Sequence, residues 1–111
     1  MQITRFNEAK PYDVPAHFGT AGLRLQGEDA NPDAFCTIGL SYYLPGGRAE
    51  MSAGAAPKIY VVVDGELTIE LEDGARSVLG PFDSCLILGG ERRAVRNETN
   101  SVASMLVILP A

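Results

Sequence analysis

The chain is expected to fold as an all-β barrel or sandwich. Three observations predict this. From Phe35 to the end, short runs rich in β-branched, aromatic and aliphatic residues follow one another. Gly, Pro and Asp-Gly signals separate them at short intervals, and several runs alternate apolar with polar residues at the period of a pleated strand.

Residues 1–34 carry Pro11, Pro15, Gly19, Gly22, Gly27 and Pro32. That spacing rules out a long helix and suggests an irregular N-terminal arm of short strands and loops packing on the barrel or on a dimer partner. Barrel strands are expected over 35–111, beginning with FCTIGLSYYL, which a Pro45-Gly46-Gly47 turn should end. KIYVVV and ELTIELE flank Asp64-Gly65, and this pair predicts a tight hairpin because glycine enters positive φ without strain. Leu67, Ile69 and Leu71 alternate with Thr68, Glu70 and Glu72, so one face of that strand should be buried. ARSVL, SCLIL, RRAVRN and VASMLVIL complete the series. KIYVVV and SMLVIL are apolar at both parities and need cover on both sides, which points to a homodimer.

At 111 residues the chain suits one domain with a single core. A net charge of −5 and nine scattered Lys and Arg argue against nucleic-acid binding. No apolar run approaches the roughly 20 residues of a membrane span, and MQITRFNEAK lacks the apolar core of a signal peptide. The expectation is a cytoplasmic protein with neither nucleic-acid nor membrane partners. Cys36 and Cys85 stand alone, without the spacing of a zinc site or disulfide framework, and are expected to be reduced and packed.

With this strand order the chain resembles the small single-domain cupins, double-stranded β-helix proteins of jelly-roll type. The family's first motif runs from one glycine to another through two His and a Glu. Here Gly46 and Gly65 hold its ends, while the ligand positions fall on Ser52, Gly54 and Lys58. The second motif maps onto Phe82, Leu88, Gly90, Arg93 and Asn97: its last glycine and asparagine are kept, and its histidine is Arg93. A divalent metal needs about three or four converging donors at roughly 2.0 to 2.3 Å. Ser52 is a poor donor, Gly54 has none, and Lys58 and Arg93 bring positive charge. No metal and no other cofactor are expected.

The resemblance implies that Lys58 and Arg93 face the barrel cavity, with Tyr60 and Val62 beside Lys58, and Val95 and Asn97 beside Arg93. Two cations facing one cavity call for an anion, either a protein carboxylate such as Glu50 or a small anionic organic ligand. Arg93 can grip a carboxylate through its planar fork while Lys58 stabilises an enolate or oxyanion. Alternatively Arg93 and desolvation lower the pKa of Lys58 until it acts as a neutral base or forms a Schiff base.

Tyr43 and Tyr60 are candidate hydrogen-bond donors or acids, and Ser41, Ser52 and Asn97 candidate substrate ligands. Met105, Val107 and Leu109 would form the apolar wall. The resemblance implies that the arm runs near the barrel mouth, which would bring His17, the only histidine, to the cavity, where its unperturbed pKa invites proton transfer. Arg92 and Arg96 should face the other way, toward Glu91 or Glu98. Lys58, Arg93, Tyr43 and Tyr60 thus form the expected reactive set of a cofactor-free lyase, isomerase or decarboxylase. A noncatalytic ligand-binding or sensor protein and a structural dimer with a plugged barrel are the alternatives.

Overall fold

The computed structural model describes all residues, 1–111, as a twisted antiparallel sheet curled into a nearly closed barrel. A short 3-10 turn, Phe6–Glu8, precedes β1 (Lys10–Tyr12) and β2 (His17–Gln26). β3 (Cys36–Ser52), β4 (Lys58–Asp64), β5 (Leu67–Leu71), β6 (Arg76–Leu79), β7 (Ser84–Ile87), β8 (Arg93–Arg96) and β9 (Ala103–Pro110) follow. Neighbouring strands run in the order β6-β5-β8-β3-β9-β4-β7, with β2 paired to β3 and β1 to β2. The fold class is the all-β double-stranded β-helix expected from the sequence.

β3 is the element that joins the two halves of the sheet. Its first half pairs with β9, from Cys36↔Pro110 to Tyr43↔Ala103, and its second half pairs with β8, from Arg48↔Arg96 to Ser52↔Arg93. The turn expected at Pro45-Gly46-Gly47 is therefore a bend within one seventeen-residue strand. A proline is tolerated there because β2 loses register at the same place, passing from Phe18↔Arg48 to Thr20↔Tyr43.

The N-terminal segment is more regular than its prolines and glycines suggest. β2 is ten residues long and pairs along much of β3. Its inward positions, Thr20, Gly22 and Arg24, are small or polar and its outward ones apolar, the reverse of the usual pattern. Gly22 and Gly39, across the strand pair, leave a floor on which the Tyr12 ring lies: a Cβ on Gly39 would sit 2.0 Å from the Tyr12 hydroxyl. Without these glycines β1 could not lay its tyrosine over the sheet.

The expected hairpin at Asp64-Gly65 does not form. β4 pairs with β7 and β9, and β5 with β6 and β8. Gly65 does take a positive φ of 73°, but the turn carries the chain across to the other half of the sheet instead of back along β4. A tight turn fixes a local reversal, and which edge the next strand joins is decided by the core it must cover. The hairpin lies instead at Asp73-Gly74, joining β5 to β6. On β5, Thr68 is buried along with Leu67 and Ile69, so the expected one-sided burial is incomplete.

The core is built from Tyr43, Ala49, Tyr60, Val62, Leu67, Ile69, Ile87, Val95, Ala103 and Met105. Cys36 and Cys85 are free thiols, each half-buried. No helix is long and apolar enough to cross a membrane.

Candidate functional site

At one end of the barrel the side chains do not meet, and a cavity of about 360 Å³ opens between them. Its size lies within the range that holds small organic ligands. Strand alternation decides who lines it. Ser41 and Tyr43 come from β3, Lys58 and Tyr60 from β4, Arg93 from β8, and Met105, Val107 and Leu109 from β9. His17, Arg24, Glu28 and the Tyr12–Val14 turn enclose the remaining side.

Arg93 is buried, and its guanidinium is fixed on two sides. Nε donates to the Tyr60 hydroxyl at 2.5 Å and Nη1 to Ser52 Oγ at 3.0 Å. Nη2 donates to no protein group, and no carboxylate pairs with Arg93 or with Lys58. Glu50, the expected structural partner of Arg93, pairs with Arg48 at 3.0 Å instead. Arg24 is held by Glu28 at 3.0 Å and stacks under Tyr12, 4.0 Å from the ring centroid. Those two charges cancel. Of the remaining lining charges, Lys58 and Arg93 outnumber Asp13, which sits exposed at the rim.

The surroundings shift the titrating groups in consistent directions. Burial, and then the Arg93 charge, hold the Lys58 ammonium below its ordinary pKa of 10.5. Burial raises the Tyr60 phenol, against the Arg93 charge and hydrogen bond, and burial followed by the neighbouring Tyr60 raises Tyr43. Both tyrosines are therefore protonated donors at neutral pH. His17 is lowered from 6.5, first by desolvation, against the hydrogen bond to Pro15, with Arg93 and Lys58 adding to the depression.

Ser41, Tyr43, Lys58, Tyr60, Arg93, Met105 and His17 are thus brought together at the cavity. Ser52 lies behind it as a guanidinium holder. Asn97 does not belong to it. Its Nδ2 donates to the carbonyls of Tyr43 and Ser101, and its Oδ1 accepts from Thr99. At the end of β8 the chain leaves the sheet, and the side chain is consumed in tying that turn to the β3 bend. Arg92 and Arg96 face outward, but pair with Glu72 and Glu70, across from them on β5 and its following turn, at 3.4 Å each.

Tyr12, Asp13, Val14, Arg24 and Glu28 were not expected at the site. Their signal was the alternation Thr20, Gly22, Arg24, legible only once the segment is read as a strand with a polar inner face.

The positions that would hold a divalent metal in the resembling family do not suit one. Lys58 Nζ lies 3.3 Å from where a Cβ on Gly54 would stand, so an ammonium occupies the place of a ligand set. No three His, Cys, Asp or Glu side chains cluster anywhere in the chain. The donor set rejects a cation and accepts an anion.

Comparison with known proteins places this barrel. The chain is 42% identical over 107 residues to the beta-D-galactosidase Rv1717 of Mycobacterium tuberculosis, covering 96% of this chain and 91% of that protein. Among solved structures it superposes on the polyketide cyclase RemF of Streptomyces resistomycificus with a TM-score of 0.87. The identity is 18%, over 99% of this chain and 79% of that one. A predicted oxalate decarboxylase of Thermotoga maritima superposes with a TM-score of 0.80 at 18% identity, covering 99% and 98% of the two chains. At such identities the structures speak for the fold alone. The cupin-domain family model matches residues 39–109, a span that holds both motifs and all the cavity-lining residues of β3, β4, β8 and β9, and the chain therefore belongs to the cupin family.

Proposed function

We propose that the barrel binds a small organic anion without a metal, and that Lys58 and Arg93 are its anchors. One observation carries this reading: a buried guanidinium and a half-buried ammonium face the same cavity, and neither has a carboxylate partner. Unpaired charges are costly to bury, and a bound carboxylate would relieve both. Preorganised donors around an oxyanion suit a cofactor-free lyase, isomerase or decarboxylase, with Tyr43 and Tyr60 as further donors. The proposed setting is the cytoplasm.

A second reading comes from the 42% identical relative, whose name is that of a β-galactosidase. Glycoside hydrolysis ordinarily uses two carboxyl groups, and Asp13 and Glu28 both line the cavity. Glu28, however, is committed to Arg24. A thermal-shift panel separates the readings, because a ligand that binds only the folded state raises its melting temperature. Small carboxylates, 2-oxo acids and phenolic acids are expected to stabilise the protein, and galactose and a neutral β-galactoside are not. Stabilisation by the neutral sugars alone would overturn the first reading in favour of the second.

We also propose that the chain works as a homodimer. On the outer face, Ile38, Ile108, Ile59 and Leu86 are register partners across β3, β9, β4 and β7, with Leu40, Leu106 and Val61 in a parallel row. Ile59 and Leu86 are 41% and 57% exposed. An apolar band continuous across four strands is the kind of surface a second copy covers. Light scattering after gel filtration is expected to give twice the chain mass. An Ile59→Arg/Leu86→Glu variant should run as a monomer with unchanged circular dichroism, and a monomeric wild type would refute the proposal.

A further inference from the structure

We infer that His17 is the base of this cavity, and that a bound 2-oxo acid loses a proton from its carbon α to the carbonyl there. The inference rests on the anion-binding reading above and adds a reaction to it.

Tyr60 Oη accepts from Arg93 Nε, and its own hydrogen has no acceptor in the protein. The Tyr43 hydroxyl, the Lys58 ammonium and Arg93 Nη2 likewise donate to no protein group. All four belong to side chains of one cavity wall set. This is an excess of donors over acceptors, and it calls for a ligand with several lone-pair oxygens on adjacent atoms. A carboxylate beside a carbonyl supplies them, and the apolar strip of Met105, Val107 and Leu109 accommodates its carbon chain.

His17 supplies the one group of opposite character. A carbonyl oxygen can only accept, so the 3.0 Å contact between His17 Nδ1 and the Pro15 carbonyl fixes the hydrogen on Nδ1. In the neutral ring the lone pair is then on Nε2. Desolvation first, and then the charges of Arg93 and Lys58, hold the ring below its ordinary pKa of 6.5 against the Pro15 hydrogen bond, which favours the neutral form near pH 7. The lining carboxylates are less suited: Asp13 is exposed at the rim and Glu28 is committed to Arg24.

The step balances within the site. The C–H bond next to the carbonyl breaks, and its proton goes to His17 Nε2. Its electron pair becomes the carbon–carbon double bond, and the carbonyl π pair moves onto oxygen. That enolate oxygen meets the Tyr60 hydroxyl and Lys58, while Arg93 Nη2 holds the carboxylate. Return of the proton to either face of the enolate would give exchange or isomerisation, with no redox partner required.

The experiment follows the methyl and methylene protons of pyruvate and 2-oxobutyrate in D₂O by proton NMR, alongside thermal shift with the same acids. The wild type is expected to wash out these protons at least about a hundredfold faster than buffer. His17→Gln should lose about a hundredfold in exchange while keeping the ligand-induced rise in melting temperature. Tyr60→Phe should lose about a hundredfold, as expected for one donor to a developing charge. A wild type that is stabilised by these acids and yet exchanges no faster than buffer overturns the base assignment and leaves the anion site standing. Exchange by His17→Gln at the wild-type rate overturns it as well. Absence of both stabilisation and exchange overturns the base and the anion site together.

Discussion

Replacing Arg93 by methionine is expected to weaken binding of a small carboxylate about a hundredfold. The estimate follows from charge-assisted hydrogen bonds, worth about 1.5 to 3 kcal/mol each, at about 1.4 kcal/mol per tenfold in affinity. Lys58→Met should cost about tenfold, since the ammonium is only half-buried and partly served by water. The two residues share one ligand, so the double variant should fall short of the product of the single effects. Calorimetric titration of the wild type and three variants checks this.

Lys58→Met should move stability the other way. Lys58 has its pKa depressed in the folded protein, so its protonated form is disfavoured by folding. That penalty is fully present below the folded pKa and vanishes above the unfolded value of 10.5. At pH 7, therefore, ligand-free Lys58→Met should melt above the wild type even as its ligand response shrinks. Affinity for the anion should hold while Lys58 is protonated and decline as pH rises through its lowered pKa. A Lys58→Met protein less stable than wild type at pH 7 would mean that the ammonium is paired or solvated in a way the cavity does not suggest.

Legibility of this chain from its sequence was uneven, for physical reasons. The barrel was readable because alternation and turn chemistry are local: Tyr60 and Val62, Met105 and Val107, and Ser41 and Tyr43 take their sides of the sheet from the two-residue period alone. Topology was not local. Asp64-Gly65 has the chemistry of a hairpin turn, yet β5 pairs with β6 and β8, strands later in the chain, and only the whole core settles that. β2 was missed as a long strand because its inner face is glycine and arginine. That pattern makes sense only with Tyr12 laid across it, a contact between residues far apart in the sequence.

The site repeats this division. Lys58 and Arg93 could be placed together through the family frame, but their lack of carboxylate partners is a property of assembled neighbours: Glu50, close in sequence to the site, is taken by Arg48. Asn97 marks the converse error. Parity put it beside Arg93, but parity stops applying where a strand ends.

Asn97→Ala should accordingly be among the most damaging single substitutions for stability and among the least for ligand affinity. The side chain is 2% exposed and completes hydrogen bonds at both ends. Nδ2 donates to Tyr43 O at 2.9 Å and to Ser101 O at 2.8 Å, and Oδ1 accepts from Thr99 N at 3.0 Å and Thr99 Oγ1 at 2.8 Å. The backbone does the same work: Asn97 N donates to Gly47 O at 2.9 Å and Gly46 N to Asn97 O at 3.0 Å. Truncation leaves a buried carbonyl of β3 and the Thr99 amide without these partners, while Ser101 O keeps the Thr99 hydroxyl. At about 1 to 3 kcal/mol for each group left unsatisfied, with water re-entering the exposed turn, a net loss of about 3 kcal/mol follows. For a chain of this size that corresponds to a fall of roughly 10 to 20 °C in melting temperature. Asn97→Asp should fare no better, because it keeps the acceptor, loses both donor bonds and buries a charge. Ligand affinity measured well below the new melting temperature should stay within about threefold of wild type, because the bend that Asn97 ties lies behind the cavity wall and none of its own atoms reach the cavity. A large loss of affinity at retained stability would return Asn97 to the binding site.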